Sequence, residues 1–211
     1  MQVPAVHEPT VSRRRGRVVL IAAGVVLAWC CAGGIFVLYR IGLVSFLTGS
    51  RLLALVPGAF GICLRRCWYQ WTLSACGNGL VVDWLGTFKT PTARVGSRVF
   101  IGSMCWIAEV DIRDDVMIAA RGAIQGGART HGTEELGIPM NQQPGQLRTV
   151  VLGPDVWIGT GATVMADVAP GTIVAAGAVV TRTFPELSVL AGVPARVIRR
   201  RADPGTVASD A

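Results

Sequence analysis

The chain has 211 residues, 51% of them hydrophobic but only 7% aromatic, with 26 glycines and a formal charge of +7. One ordinary domain plus an appendage fits that length, and small aliphatic content favours a repetitive β architecture over a helical bundle. The basic excess is clustered at Arg13–Arg17, Arg65–Arg66 and Arg199–Arg201 without any recognisable nucleic-acid module, so no nucleic-acid partner is expected.

Residues 1–17 form a basic tail that includes His7. An uncharged run from Val18 to Tyr39 follows between arginines. At about 1.5 Å per residue it reaches ~33 Å, enough to cross a bilayer core, and it predicts an uncleaved transmembrane helix over 18–39. Residues 40–79 are apolar but broken by Arg51, Pro57 and glycines. They predict a membrane-proximal or re-entrant segment, with Trp68, Tyr69 and Trp71 beside Arg65 and Arg66 as interfacial anchors. A helix packed on the soluble domain is the alternative. Positive charge before Val18 favours an N-terminus inside, with a returning segment up to residue 64 bringing the rest of the chain to the same side; the alternative is a first helix inserted N-terminus outside, with Arg40, Arg51, Arg65 and Arg66 as the inside charges. None of the six cysteines forms a Cys-x-x-Cys pair, and no zinc-ligand spacing is present.

From about residue 80 the pattern changes. Large aliphatic residues recur six apart at Val95, Ile101 and Ile107, then at Ile112, Ile118 and Ile124. They resume at Leu152, Ile158 and Val164, and again at Val174 and Val180. Small residues follow them, as at Gly102, Ala119, Gly159 and Ala175. Each hexapeptide makes a short strand and a tight corner, and three of them close one triangular coil. The predicted fold is mainly β, a parallel β-helix of hexapeptide repeats over 80–200. An excursion loop near 125–149 interrupts it, and residues 201–211 form a tail.

"VWIGTGATVMADV", "VAAGAVVTR" and "LAGVPARVI" resemble the closing coils of hexapeptide-repeat acetyltransferases, and within them the O-acetyltransferases of bacterial polysaccharide and sugar modification. The resemblance implies a left-handed parallel β-helix over 80–200, assembled as a homotrimer with acetyl-CoA bound between neighbouring prisms. It implies an acceptor hydroxyl on a sugar or lipid-linked glycan and no metal. Together with the apolar run, it places the chain at the bacterial inner membrane with the catalytic domain facing the cytoplasm.

Acyl transfer from a thioester to a hydroxyl needs a base, and histidine suits neutral pH. The chain has two histidines, and only His131 lies in the repeat domain, in the excursion loop where the family keeps its catalytic histidine. The commoner slot, five residues past Ile124, holds Arg129, so "RTH" is read as a subfamily variant. Glu134 or Glu135 could orient the imidazole, hold the acceptor or simply be solvated loop acids. The resemblance implies CoA contacts at Gly159, Thr160, Ala176, Gly177, Thr181, Arg182 and Arg196. It also suggests acceptor binding by Asp83 on an early coil and by glutamines of the loop such as Gln143. One histidine in the domain cannot build the three-histidine zinc site of a β-helical carbonic anhydrase. A membrane-anchored scaffold without catalysis and an acetyltransferase for a small non-glycan molecule stay open as alternatives.

Overall fold

The computed structural model describes residues 11–201, with side chains from residue 24 onward. His7 and the outer parts of both tails lie outside the described residues.

The repeat builds a parallel β-helix with three faces. The first holds Ala75–Cys76, Arg94–Val95, Val110–Ile112 and Val150–Leu152. The second runs through Val81–Val82, Phe100–Ile101, Met117–Ile118, Trp157–Ile158 and Ile173–Val174 to Ser188–Ala191, with Arg196–Arg200 added antiparallel as a terminal hairpin. The third stacks Thr87–Phe88, Trp106–Ile107, Ala123–Ile124, Thr163–Val164 and Val179–Val180.

Register places the hexapeptide aliphatics directly over one another. Val95 pairs with Ile112 and Ile112 with Leu152 on the first face. Val82, Ile101, Ile118, Ile158, Val174 and Leu190 form the second column. Phe88, Ile107, Ile124, Val164 and Val180 form the third. All of these side chains are buried. Each fully buried aliphatic contributes about 1.5–3 kcal/mol, so the axis of the prism is its core. Glycine is required where successive corners touch. A Cβ on Gly159 would lie 2.5 Å from the amide nitrogen of Ala176 on the next coil.

Three helices precede the prism: α1 (Val11–Arg40), α2 (Phe46–Ala54) and α3 (Gly58–Thr72). α2 starts where the Ser45 hydroxyl accepts the Thr48 N–H at 3.1 Å, an N-cap. α3 lies across the open end of the first coil. Its Tyr69 ring meets Phe88 edge-on at 4.8 Å, and the Tyr69 hydroxyl accepts the Phe88 N–H at 3.3 Å. Trp68 stacks on Phe46 and donates from its indole to Ser50 at 3.0 Å.

This corrects one expectation within residues 40–79, that of Trp68 and Tyr69 as interfacial anchors. Trp68, Tyr69 and Arg65 are fully buried against the protein. Arg65 donates to the carbonyls of Val82 (2.8 Å), Leu53 (3.0 Å) and Val56 (2.7 Å), and Arg66 to that of Leu80 (2.7 Å). Arg65, Arg66 and Tyr69 thus join α3 to the first coil. Burial lowers the Arg65 pKa, while Tyr69 and Asp83 nearby favour its charge.

The later part of α1 packs on α3. Trp29 and Phe36 contact Trp71, and Tyr39 contacts Trp68. Among the described residues no helix is long and apolar enough to cross a membrane, so the span expected over 18–39 lacks support here. The side chains of its first residues, 18–23, lie outside the described set.

Candidate active site

The chain leaves the prism after Ala123–Ile124 and returns at Val150–Leu152, which pairs directly with Val110–Ile112. The ladder therefore closes beneath the excursion. The loop's limbs are joined near its base. Arg148 N–H donates to Gly126 O at 2.9 Å, and Gln146 N–H to Arg129 O at 2.8 Å. Beyond that the limbs touch backbone to backbone. A Cβ on Gly145 would fall 2.0 Å from the Thr130 carbonyl oxygen and 2.9 Å from the His131 nitrogen. Only a residue without a side chain fits there.

Gln143 ties the tip together. Its amide nitrogen donates to Glu135 O at 2.8 Å and Ile138 O at 2.7 Å, and its oxygen accepts Glu135 N–H at 3.2 Å. The side chain is buried, with both ends of the amide engaged by the loop. Gln143 therefore has a structural role in the loop, and it also lines the pocket that holds His131.

Two adjoining cavities result. One, of ≈390 Å³, is lined by Arg129, His131, Thr133, Glu134, Glu135 and Gln143, among others. His131 and Glu134 thus share a pocket, both exposed. The other, of ≈340 Å³, is lined by Arg129, Gln146, Arg148, Thr181 and Arg182, among others. Arg129 and Gln146 belong to both walls. The fold therefore brings Thr181 and Arg182 to the foot of the loop that carries His131.

Three arginines meet in the second cavity. Arg148 is paired with Asp167, whereas among the described residues Arg129 and Arg182 have no ion-pair partner. The Arg182 guanidinium sits 5.2 Å from the centroid of the Phe184 ring. Such a wall suits a phosphate or another polar anionic group, because planar guanidinium donates paired hydrogen bonds. The sequence did not reveal Arg148 as part of this wall, and it cast Arg129 only as the occupant of a histidine slot. A basic residue at the end of an irregular loop has no motif of its own.

Other expected residues lie elsewhere. Gly159 is buried, and the close approach of Ala176 accounts for it without a ligand. Thr160, Ala176 and Gly177 are exposed along the corner between the second and third faces, with Gly177 N–H donating to Thr160 O at 2.9 Å. Arg196 is exposed on the terminal hairpin, its guanidinium donating to Ala195 O at 3.0 Å. Asp83 stands on the first coil. It accepts the Ser103 hydroxyl at 2.6 Å and the Trp84 N–H at 2.7 Å. These two bonds, with the charge of Arg65 adding less, hold its carboxyl below the usual range. Neither Asp83 nor Arg196 lines the His131 pocket. Among the described residues no group of three or more His, Cys, Asp or Glu side chains is placed to hold a metal ion.

No family model matches the chain. Over 137 residues it is 33% identical to WbbJ of Escherichia coli (strain K12), a protein named for O-acetyl transfer in lipopolysaccharide biosynthesis. The match covers 61% of this chain and 64% of that protein, so the chain spans less than two thirds of the relative's length. Among solved structures, the hexapeptide-repeat acetyltransferase VCA0836 from Vibrio cholerae superposes with a TM-score of 0.60 at 20% identity, over 75% of this chain and 92% of that one. The fold is that of the hexapeptide-repeat acetyltransferases. A galactoside acetyltransferase solved with coenzyme A also shares it, with a TM-score of 0.59 at 20% identity over 77% of this chain and 86% of that one.

Proposed function

We infer that the chain transfers an acetyl group from acetyl-CoA to a hydroxyl of a sugar or glycan precursor, with His131 as general base. The observation that carries this is the joining of the His131 pocket to a cationic cavity through shared walls. The sequence likeness to WbbJ and the fold shared with a galactoside acetyltransferase solved with coenzyme A support it. His131 takes the acceptor hydroxyl's proton as the acceptor oxygen attacks the thioester carbonyl. The carbon–sulfur bond then breaks and the CoA thiol leaves with the proton returned by the imidazolium. The joined limbs of the loop fix the backbone that carries His131, which limits where the imidazole can reach. Glu134 or Glu135, on the same wall, orients the imidazole or receives the acceptor. Thr181, Arg182 and Arg129 hold the polar parts of the donor. CoA supplies the activated acetyl group when bound.

Self-association as a trimer belongs to the same reading. On the second face Phe100, Met117 and Trp157 stand in register on the outside of the prism, 42%, 50% and 48% exposed. Such a column favours burial against another copy. Association would also let groups that one chain keeps apart, such as Asp83, Arg196 and the corner residues Thr160, Ala176 and Gly177, contribute to a shared site. A setting at the bacterial inner membrane, facing the cytoplasm, rests on the uncharged run Val18–Tyr39.

The test is acetyl transfer by full-length protein with and without His131. His131→Ala should leave the fold and CoA binding intact while turnover falls by on the order of 10²–10⁴-fold. Near-full turnover would remove His131 from the chemistry. Absence of CoA binding by the unaltered chain would favour the non-catalytic scaffold instead.

A further inference from the structure

A larger cavity, of ≈540 Å³, lies away from the His131 loop, between α2 and the early strands of the third face. On the helix side its wall is Arg51 and Leu52, with Leu55 just past the helix end; on the prism side it is Leu85, Thr87 and Trp106. An outward helical stripe is ordinarily polar. Here Leu52 and Leu55 are 48% and 63% exposed, and Ile41 and Leu43, in the preceding turn, are 62% and 72% exposed.

One charge marks this wall. The Arg51 guanidinium lies 5.9 Å from the centroid of the Trp106 ring and has no ion-pair partner among the described residues. Moreover, no Asp or Glu occurs between Glu8 and Asp83, so the helical cap contains no carboxylate to neutralise it. An apolar wall calls for hydrocarbon. A single fixed guanidinium without a counter-charge calls for an anion, phosphate above all. The groove is open to solvent, and its volume has room for one alkyl chain laid along the apolar wall.

We propose that this cavity binds a single-chain lipid phosphate. Its hydrocarbon lies against Leu52, Leu55, Leu85 and Trp106, and its phosphate rests on Arg51. The assignment does not depend on acetyl transfer, because binding can be read without turnover.

The experiment titrates the full chain with dodecyl phosphate carrying bromine at the chain end, a contact quencher of tryptophan fluorescence. Saturable quenching is expected, with most of it lost in Trp106→Phe. Arg51→Gln, an exposed helix position that leaves the core untouched, should weaken binding about tenfold, equivalent to ~1.4 kcal/mol. Brominated dodecanol should bind more weakly than the phosphate and be indifferent to Arg51→Gln. Quenching unchanged by Trp106→Phe, or equal affinity for phosphate and alcohol, would overturn the assignment. So would binding confined to vesicles of two-chain phosphatidylglycerol. Sedimentation run alongside covers the remaining occupant: probe uptake only by dissociated protein would mean that a second copy fills the cavity, and would equally refute the proposal.

Discussion

Gly145→Ala is the most direct test of how the loop works. The new Cβ would stand 2.0 Å from the Thr130 carbonyl oxygen, 2.5 Å from the Thr130 carbonyl carbon and 2.9 Å from the His131 nitrogen. All three are backbone atoms, so no flexible side chain can swing aside. Ordinary contact requires the limbs to separate by on the order of 1 Å. The bond from Gln146 N–H to Arg129 O, 2.8 Å and one residue away on each limb, must lengthen with them. A displacement of that size at a catalytic group can cost roughly 10²-fold in rate. Stability should change little, because the loop lies outside the aliphatic columns that hold the prism. Gly137→Ala is the control, since a Cβ there meets nothing within 4 Å. The assays are acetyl transfer, thermal unfolding and histidine-selective NMR. The chain has only two histidines, so the His131 imidazole is one of two signals and reports displacement even without turnover. If Gly145→Ala leaves that signal and the rate unchanged, or if Gly137→Ala lowers the rate as much, the argument for a glycine-spaced loop fails.

Arg65→Ala removes donors from two buried carbonyls and one partly buried one and should lower unfolding stability by about 2–4 kcal/mol, even after the relief of a buried charge. Arg65→Lys should recover little, because one ammonium cannot reproduce the fork; a loss below ~1 kcal/mol in denaturant unfolding would return Arg65 to a surface role. Burial pushes the thiols of Cys76 and Cys105 up from 9.0 to about 11. Since the folded values are raised, this stability is complete below pH 9 and is lost as pH climbs toward 11. Unfolding midpoints measured across that range should fall, and less steeply in the Cys76→Ala, Cys105→Ala double variant. Arg182→Ala and Arg129→Ala should raise KM for acetyl-CoA more than they lower kcat, and equal loss in both constants would place these arginines at the reacting centre.

The columns were legible because their spacing is a property of the chain alone. Ile118 and Ile158 remain in phase across the loop, and register stacks them. The loop histidine was legible because histidine is scarce. The helical cap was not. A Trp-rich, carboxylate-free helix satisfies a bilayer and a protein neighbour alike, and only the bonds from Arg65 to Val82, Leu53 and Val56 distinguish the two. Gln143 looked available because sequence cannot say that its amide is already engaged. Arg129, Arg148 and Arg182 meet only through the fold, from both limbs of the loop and the corner after the third face.

The bonds between α3 and the first coil have a consequence for how many molecules can stack. The carbonyls of Leu80 and Val82 are occupied by Arg66 and Arg65, the Phe88 N–H by Tyr69, and the Leu85 N–H by Ala54 O. At the far end the last strand carries Arg196, Arg199 and Arg200 beside an antiparallel partner. A parallel solenoid with bare ends would offer the next molecule a ready template and could grow head to tail into a filament. One end of this prism is stoppered by its helices, and like charge at the other repels a second molecule. The same helices that roof the first coil therefore also cover the backbone groups on which a second prism would pair, and trimming them should expose that template.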